Sequence, residues 1–436
     1  MPERLIAPFS VDVTIPLNHR CMGLLPTKSK EIVDPLQAHG FVLFETGAGA
    51  AKPIVLVAVD WCEIRNEAYD RWREVIAKAM GTARERVLVC SLHQHDAPVT
   101  DIGAQNLLDK VGLSGELMDI PFHEDCVQRV AAAAQESIFD AQPVTHLELG
   151  QAKVEKIASN RRIEYEDGRV SYGRGSRSGG NKFLAEAPDG LIDPFLKTIS
   201  FWNGTKQLVA LHSYATHPMS YYGRGGVTYD FVGMARERRR RDDQTVHQIY
   251  VSGCSGDVTA GKYNDGSPAN RELLANRLYE SMVASSKSAR RVPFDGTQFR
   301  STKLDLPYRS EERFSAGALL AKLENTELKT EQRIHAAMSL SSRMRVTSGN
   351  RIDFPVVDFG PAQIVLFPGE AFVGYQLIAQ ELRPDSFVQS IGYGECWPGY
   401  VPTAASVADR FEDTWLWVDP GCEERIRGAL KQTLGG

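Results

Sequence analysis

Two histidines, His93 and His95, directly follow an apolar run, RVLVC at 86–90, that has the composition of a buried strand. At the two-residue period of a strand, their side chains project to the same face, at the end where an α/β sheet opens to a crevice. Imidazole is a common zinc ligand, and a neighbouring acid such as Asp96 orients such a ring. The pattern indicates a metal site; the alternative is a pair of hydrogen-bonded histidines in a turn.

Two later segments repeat this layout. In LVALHSYATHPMS, at 208–220, an apolar strand leads to His217, and Pro218 keeps the residue before it extended. His212 lies inside the strand, so we expect it to be a packed core histidine. In the third segment, Asp257 stands between Gly256 and Val258 after the strand at 248–252. An acid in such a turn either orients a ligand or makes an Asx turn.

Near the end of the chain, IVLFPGEAFVGYQL takes a strand to Pro368-Gly369, and Glu370 is predicted to open the following helix. A carboxylate there would be stabilised by the helix N-terminus. By itself, however, it has the ordinary explanation of a glutamate in a first turn. The last strand then leads into a glycine- and proline-rich loop that contains Glu395, Trp397 and Tyr400.

Short β-branched runs alternate with helical patterns along the chain, which predicts an α/β fold with mixed sheets flanked by helices. Strands are predicted at 41–45, 53–59, 86–91, 146–149, 207–212, 248–252, 364–367 and 388–391. Helices are predicted at 66–80, 123–139, 232–241, 271–286, 312–323, 330–344 and 423–434. We expect one large domain over 1–436, because the only marked change of composition, at 160–193, reads as a polar loop that is mobile or covers substrate.

The bulk composition excludes some classes of protein. A formal net charge of −5 over 436 residues gives no basic field, so nucleic acid is not an expected partner. No run approaches the length of a membrane span, so no stable membrane insertion is expected. The seven cysteines are scattered without a CxxC pair, which favours free buried thiols, argues against cysteine zinc sites and suggests a cytoplasmic location. The arginine-rich run 236–241 is predicted to be a solvated helix face.

Five short motifs, in this order, resemble the catalytic domain of the neutral (non-lysosomal) ceramidases. That family has THTHSGP, an HPTS-like histidine segment, GDVSPN, PGE and GY-[LV]-PT, where this chain has LHQHDAP, ATHPMS, GDVTAG, PGEAF and GYVPT. The dipeptide Asn160-Arg161 and the segment GLIDP at 190–194 are also similar to family patterns. The chain departs from the pattern at Asp96 and Thr259, each of which replaces a serine. The resemblance does not extend to the C-terminal immunoglobulin-like domain of larger members.

The resemblance implies a ceramidase-like fold and a bound Zn²⁺ held by His93, His217, Glu370 and Tyr400, with Tyr400 the least secure of the four. It also implies that His95 and Arg161 line the site. On this basis the first hypothesis is a zinc-dependent hydrolase in which metal-activated water attacks an amide-like bond. His95 would act as general acid and base, and Arg161 would help to stabilise the oxyanion. Asp96 and Asp257 are expected to support the site from behind, and Thr259 to be a turn residue.

Two other functions stay open. The same zinc site could cleave a glycosidic, ester or amide bond in a soluble, sugar-like molecule, or the scaffold could bind a small molecule without turnover. Arginines and tyrosines of the polar loop favour hydrogen-bonding and anionic groups over an alkyl chain, so we expect a polar substrate and allow an acidic one. The predicted substrate-binding residues are Arg162, Tyr172, Arg174 and Trp397.

Overall fold

Three mixed β-sheets organise the protein in the computed structural model, which describes residues 3–47 and 49–435. The order of strands in the first sheet is Val87–Ser91, Ile54–Val59, Gln37–Glu45, Arg4–Asp12 and Gln142–Pro143. In the second sheet it is His247–Ser252, Lys206–Tyr214, Phe195–Asn203, His146–Lys153 and Arg290–Pro293. In the third it is Gln298–Leu304, Ile352–Asp358, Ala362–Leu366 and Phe387–Ile391.

Helices cover these sheets and connect their strands, as the predicted α/β fold requires. They span Asn66–Ala79, Ile102–Asp109, Ile120–Ser137, Lys182–Glu186, Asp230–Asp242, Pro268–Lys287, Ala316–Glu324, Thr330–Thr347, Val373–Leu382, Ala404–Ala408 and Cys422–Thr433. The α/β prediction is confirmed, and each predicted strand and helix overlaps an observed one. The strands Arg4–Asp12, Phe195–Asn203, Gln298–Leu304 and Ile352–Asp358 were not predicted. Among the described residues, no helix is both long and apolar enough to cross a membrane.

The first and second sheets pack face to face through large apolar side chains. The rings of Phe41 and Phe201, one from each sheet, lie with centroids 5.4 Å apart, and both are buried. Apolar side chains on the other face of the first sheet pack against the helices Asn66–Ala79 and Ile120–Ser137. Helix Pro268–Lys287 lies against the second sheet. The third sheet shares the core of the first two sheets through one set of side chains and packs against the C-terminal helices through another.

Each of the three sheets contains one pair of parallel neighbours. These pairs are Ile54–Val59 with Val87–Ser91, Lys206–Tyr214 with His247–Ser252, and Ala362–Leu366 with Phe387–Ile391. Parallel strands end at the same edge of a sheet, where α/β proteins bind ligands. The histidine and glutamate segments singled out above all follow strands of these pairs.

The polar segment 160–193 is anchored by buried contacts. Arg174 is fully buried, and its guanidinium donates to five backbone carbonyl groups. Those carbonyls belong to Asn160, Leu184, Ala187, Pro188 and Asp189. Arg174 therefore organises the segment from inside. Its role in substrate binding stays a prediction that these backbone contacts do not support.

The arginine-rich run lies in helix Asp230–Asp242, but it does not form a uniformly solvated face. Arg236 is 1% exposed and donates to both carboxylate oxygens of Asp60, at 2.6 and 2.9 Å. Arg239 and Arg240 pair with acids of the same helix. The buried pair Arg236–Asp60 ties this helix to the residue that follows the strand Ile54–Val59.

Gly150 is the point of closest approach between the second sheet and helix Pro268–Lys287. A Cβ atom added there would lie 2.0 Å from the backbone oxygen of Ser285. We expect Gly150→Ala to lower the free energy of unfolding by about 1–3 kcal/mol, because helix and strand must separate. Gly428→Ala is the control, since a Cβ there meets open space in a helix, where alanine should stabilise by about 0.5–1 kcal/mol. Thermal unfolding of both variants checks this, and equal melting temperatures would contradict it.

Candidate metal centre

His93 is held in a strained backbone conformation just beyond the strand Val87–Ser91. Its φ is 71°, in the left-handed region, and its amide donates to the carbonyl of Trp61 at 2.9 Å. The imidazole stacks on Tyr393, with centroids 4.3 Å apart and planes 15° from parallel. Its Nδ1 donates to the carbonyl of Cys62 at 3.1 Å. This leaves Nε2 free for a ligand.

His217 presents the same atom from the second sheet. Its backbone amide donates to the carbonyl of Val258 at 2.9 Å, which fixes the chain beyond the strand Lys206–Tyr214. Its Nδ1 lies 2.5 Å from the carbonyl of Ser255 and 3.2 Å from that of Val258. The ring is fully buried. With Nδ1 engaged by the backbone, Nε2 carries the lone pair.

Glu370 lies in a two-residue strand, Glu370–Ala371, that pairs in parallel with Tyr400–Val401. The helix begins only at Val373, so the prediction that Glu370 opens it is wrong. The reason lies in a long-range pairing, because Tyr400 faces Glu370 across the ladder. The tight approach of Gly256, whose added Cβ would lie 2.1 Å from the Glu370 carbonyl oxygen, also fixes this segment.

These three side chains meet at one point. Glu370 Oε2 lies 3.2 Å from His93 Nε2 and 2.9 Å from His217 Nε2, and all three residues are buried. Burial alone would raise the pKa of Glu370, but His93 and His217 outweigh it and hold that pKa well below its usual range. Burial lowers the pKa of His217 to about 4.

Two imidazole nitrogens and one carboxylate form a donor set that suits zinc. Their ligand atoms lie within 4.8 Å of one another, and both Nδ1 atoms are engaged by backbone carbonyls, as is usual for histidines that bind metal. Three protein ligands also match catalytic zinc sites, which keep a further position for water. The residues present therefore fit a zinc ion.

Tyr400 and Arg161 lie beside this donor set. Arg161 Nη1 donates to the Tyr400 hydroxyl at 2.8 Å, and Arg161 Nη2 lies 3.2 Å from His217 Nε2. A metal on His217 would take the place of the second contact. Tyr400 lies on the wall of a cavity that opens over the cluster of His93, His217 and Glu370. Its role as a fourth ligand stays a prediction.

His95 faces the same cavity. Its ring centroid lies 5.3 Å from that of His93 and 4.7 Å from that of Tyr222. Its Nδ1 is buried without a hydrogen-bond partner in the described part of the chain. Burial lowers the pKa of His95 well below its ordinary value, so the ring is neutral.

Asp257 and Asp96, the two acids predicted to support the site, both accept hydrogen bonds from backbone amides. Asp257 accepts from the Val373 amide and from Asn160 Nδ2, both at 2.8 Å, and its carbonyl accepts from the Arg161 amide at 2.7 Å. Asp96 accepts from the Gly223 amide at 2.8 Å. Asp257 thus positions Arg161, and Asp96 positions the segment that carries Tyr222.

A cavity of about 270 Å³ opens over the cluster. Its wall consists of Met22, Cys62, Glu63, His93, His95, Arg161, Gly175, Ser176, Met219, Tyr222, Glu370, Tyr400, Asp413, Thr414 and Trp415. The polar loop contributes Gly175 and Ser176, so part of it does cover the cavity. Glu63, Tyr222 and Asp413 lie on this wall but were not predicted from the sequence. Only Glu63 had a local signal, as an acid shortly after a buried strand.

Three more of the predicted substrate-binding residues lie away from this wall, as Arg174 does. Arg162 and Tyr172 both donate to the carboxylate of Asp409, with closest distances of 2.6 and 3.2 Å. Trp397 is 2% exposed and packs in the core of the third sheet. Residue type alone did not reveal the acid partner or the buried packing of these side chains, and their role in substrate binding stays a prediction that these contacts do not support.

Two solved structures share the fold. One is a neutral ceramidase from Pseudomonas aeruginosa, with a TM-score of 0.71 and 16% identity, covering 99% of this chain and 74% of that chain. The other is a ceramidase complexed with C2, with a TM-score of 0.72, 14% identity and the same coverage of both chains. No protein-family model and no curated protein sequence matches the chain. The chain thus has the fold of a neutral ceramidase over nearly its whole length.

Replacing any one of the three clustered ligands should remove bound metal. We expect His93→Ala, His217→Ala and Glu370→Ala each to bind substoichiometric zinc by mass spectrometric metal analysis, because each loses one of three donors. His212→Gln is the matched control, since His212 is equally buried but bonds Thr198 and Gln248. Stoichiometric zinc in the His93→Ala/His217→Ala double variant would refute the assignment of ligands.

Proposed function

We propose that this protein is a zinc-dependent hydrolase that cleaves an amide-like bond in a small polar molecule. The observation that carries the proposal is the buried carboxylate of Glu370 between His93 Nε2 and His217 Nε2, on the wall of a cavity that also holds His95. The ceramidase fold supports hydrolysis, since the two similar structures are ceramidases.

A zinc ion at this site would supply Lewis acidity and lower the pKa of a bound water towards about 7. The residues of the chain perform the other steps. The neutral His95 ring accepts a proton from the attacking water and returns it to the leaving group. Its buried Nδ1 has no hydrogen-bond partner among the described residues, so no protein group fixes the tautomer of the ring.

Arg161 is placed to stabilise negative charge on the carbonyl oxygen of the substrate. Its guanidinium lies on the cavity wall and is fixed by the Tyr400 hydroxyl. Its contact with His217 Nε2 is the one that a metal ligand would release, so Nη2 becomes available as a donor. A fixed cationic donor in a buried site stabilises a developing oxyanion without reorganisation.

The size and lining of the cavity favour a small polar substrate. At about 270 Å³ it lies just below the usual range for drug-sized ligands, about 300–1,000 Å³. Beside Arg161 the wall carries the carboxylate of Asp413, and the other arginines predicted to bind substrate are paired elsewhere. This lining suits hydroxyl and amino groups better than an acidic substrate.

His95→Gln should separate binding of the metal from catalysis. We expect bound zinc to be retained, because His95 lies outside the cluster of His93, His217 and Glu370, and kcat to fall by about 10²–10⁴-fold, because the proton acceptor is lost. Zinc content and steady-state kinetics of the same preparation measure both. A kcat within a few-fold of the wild type would exclude His95 as the acid and base.

A substrate panel tests the proposed bond and the proposed size. We expect the zinc-loaded protein to hydrolyse short-chain N-acyl amines, N-acyl amino acids or N-acyl amino sugars with higher kcat/KM than a long-chain ceramide, because a long alkyl chain does not fit the cavity. Chromatographic product analysis identifies the cleaved bond, and glycosides and esters in the panel test the other chemistries. Preference for long-chain ceramide would contradict the size argument, whereas zinc-independent binding without turnover would favour a binding protein.

A further inference from the structure

Glu63 is a buried carboxylate in the strand Glu63–Ile64, on the wall of the cavity. It is 1% exposed, and its two oxygens have different surroundings. Oε2 accepts from Arg65 Nη1 at 2.7 Å. Oε1 has no hydrogen-bond partner within residues 3–47 and 49–435, and it lies 3.8 Å from Nδ1 of His93. The free oxygen therefore faces the Nδ1 side of the His93 ring, and His93 is a proposed zinc ligand through Nε2.

Arg65 holds this carboxylate in place. It is fully buried, its Nη2 donates to Ser342 Oγ at 3.1 Å and to the Trp397 carbonyl at 3.3 Å, and its guanidinium lies 4.2 Å from the centre of the Trp417 ring. Its Nε also lies 3.7 Å from the carboxylate of Asp101. A guanidinium with so many fixed neighbours leaves Glu63 little freedom to turn away from His93.

The backbone around Glu63 is tied to the histidine segment. The amides of Cys62 and Glu63 both donate to the carbonyl of Pro98, at 3.0 and 3.3 Å, and Glu63 pairs with Val99 in a parallel ladder. The carbonyl of Cys62 accepts from His93 Nδ1. The same short backbone segment, residues 62–63, therefore positions both the Glu63 carboxylate and the His93 imidazole. The distance between these two groups is set by the fold.

We propose that Glu63 is a positioning residue that acts through His93, by holding its imidazole as the Nδ1–H tautomer with Nε2 turned towards the metal. This inference rests on the proposed function. A carboxylate beside Nδ1 attracts the Nδ1–H proton and increases electron density on Nε2, which strengthens a bond to a cation. The Cys62 carbonyl sets the direction of the N–H group, and Glu63 adds charge.

The two proposed histidine ligands differ in whether a carboxylate lies near Nδ1. His217 directs Nδ1 to the carbonyls of Ser255 and Val258 and to no carboxylate. His93 has both a carbonyl and Glu63. Loss of the charge at Glu63 should therefore weaken zinc binding only through His93. In a variant that already carries His93→Ala, Glu63→Gln should add little to the loss of zinc affinity.

The test is the dissociation constant of zinc, measured by competition between the zinc-loaded protein and a chromogenic chelator. We expect Glu63→Gln to bind zinc about 10–100-fold more weakly, the range usual for such carboxylate partners. Cobalt-substituted protein provides a second readout, because the visible spectrum of the ion should shift when Nε2 becomes a weaker donor.

Glu395→Gln is the matched control. Glu395 is 2% exposed, accepts from Arg345 at 2.8 Å and has an unpartnered Oε1 in the described chain, but its carboxylate does not contact the proposed ligands. The variant loses a buried carboxylate that is likewise bonded to an arginine, and we expect unchanged zinc affinity and an unchanged cobalt spectrum. Thermal unfolding of the zinc-free proteins compares the stability of both variants, so a general loss of stability is distinguished from a loss at the metal.

If Glu63→Gln does not fold, the double variant Glu63→Leu/Arg65→Met replaces both members of the ion pair with apolar side chains. It removes the carboxylate and leaves no unpaired guanidinium, and apolar replacement of a buried pair is often tolerated. The same weakening of zinc binding is expected. Unchanged zinc affinity in a folded variant that lacks the carboxylate would overturn the inference. So would a rise in KM with zinc affinity intact, because Glu63 would then contact substrate directly. Failure of the wild-type protein to bind zinc would instead overturn the proposed function.

Discussion

The shared contact of Glu370 with two imidazole nitrogens is the constraint on which the rest of the site depends. An ionised carboxylate buried this deeply costs several kcal/mol unless a cation or strong donors lie beside it. His93, His217 and Glu370 follow strands of three different sheets. The three sheets must therefore end at a common point, and the left-handed backbone at His93 and the close packing at Gly256 follow from that requirement.

Many of the regular elements were predictable because their signals are local. Runs such as IVLVAV and VLVCS are apolar and β-branched, and the chain forms strands there. The role of Glu370 in the backbone was not predictable, because Tyr400 pairs with it from thirty positions further along. Proline, glycine and an acid before an apolar run have the form of a helix start, and a long-range ladder overrode that preference.

Within the site, metal-ligand residue types in the right order could be found from the sequence, whereas their neighbours could not. Arg174 and Arg161 have the same side chain and stand in the same polar segment, yet one binds carbonyls inside the protein and the other faces the cavity. Only the fold decides which guanidinium is free. Glu63 was missed for the related reason that its significance depends on Arg65 and His93 together.

The proposed metal ligands and the wall that selects a substrate are supplied by different parts of the chain. His93, His217 and Glu370 closely follow strands of the sheets, whereas Ser176, Tyr222, Asp413 and Trp415 lie in loops. Such loops change without disturbing the packing of the sheets. Asp413 and Thr414 also border a second cavity of about 370 Å³, lined in part by Phe314 and Leu319. These two loop residues therefore stand between the cavity over the proposed metal ligands and a second cavity with apolar side chains on its wall.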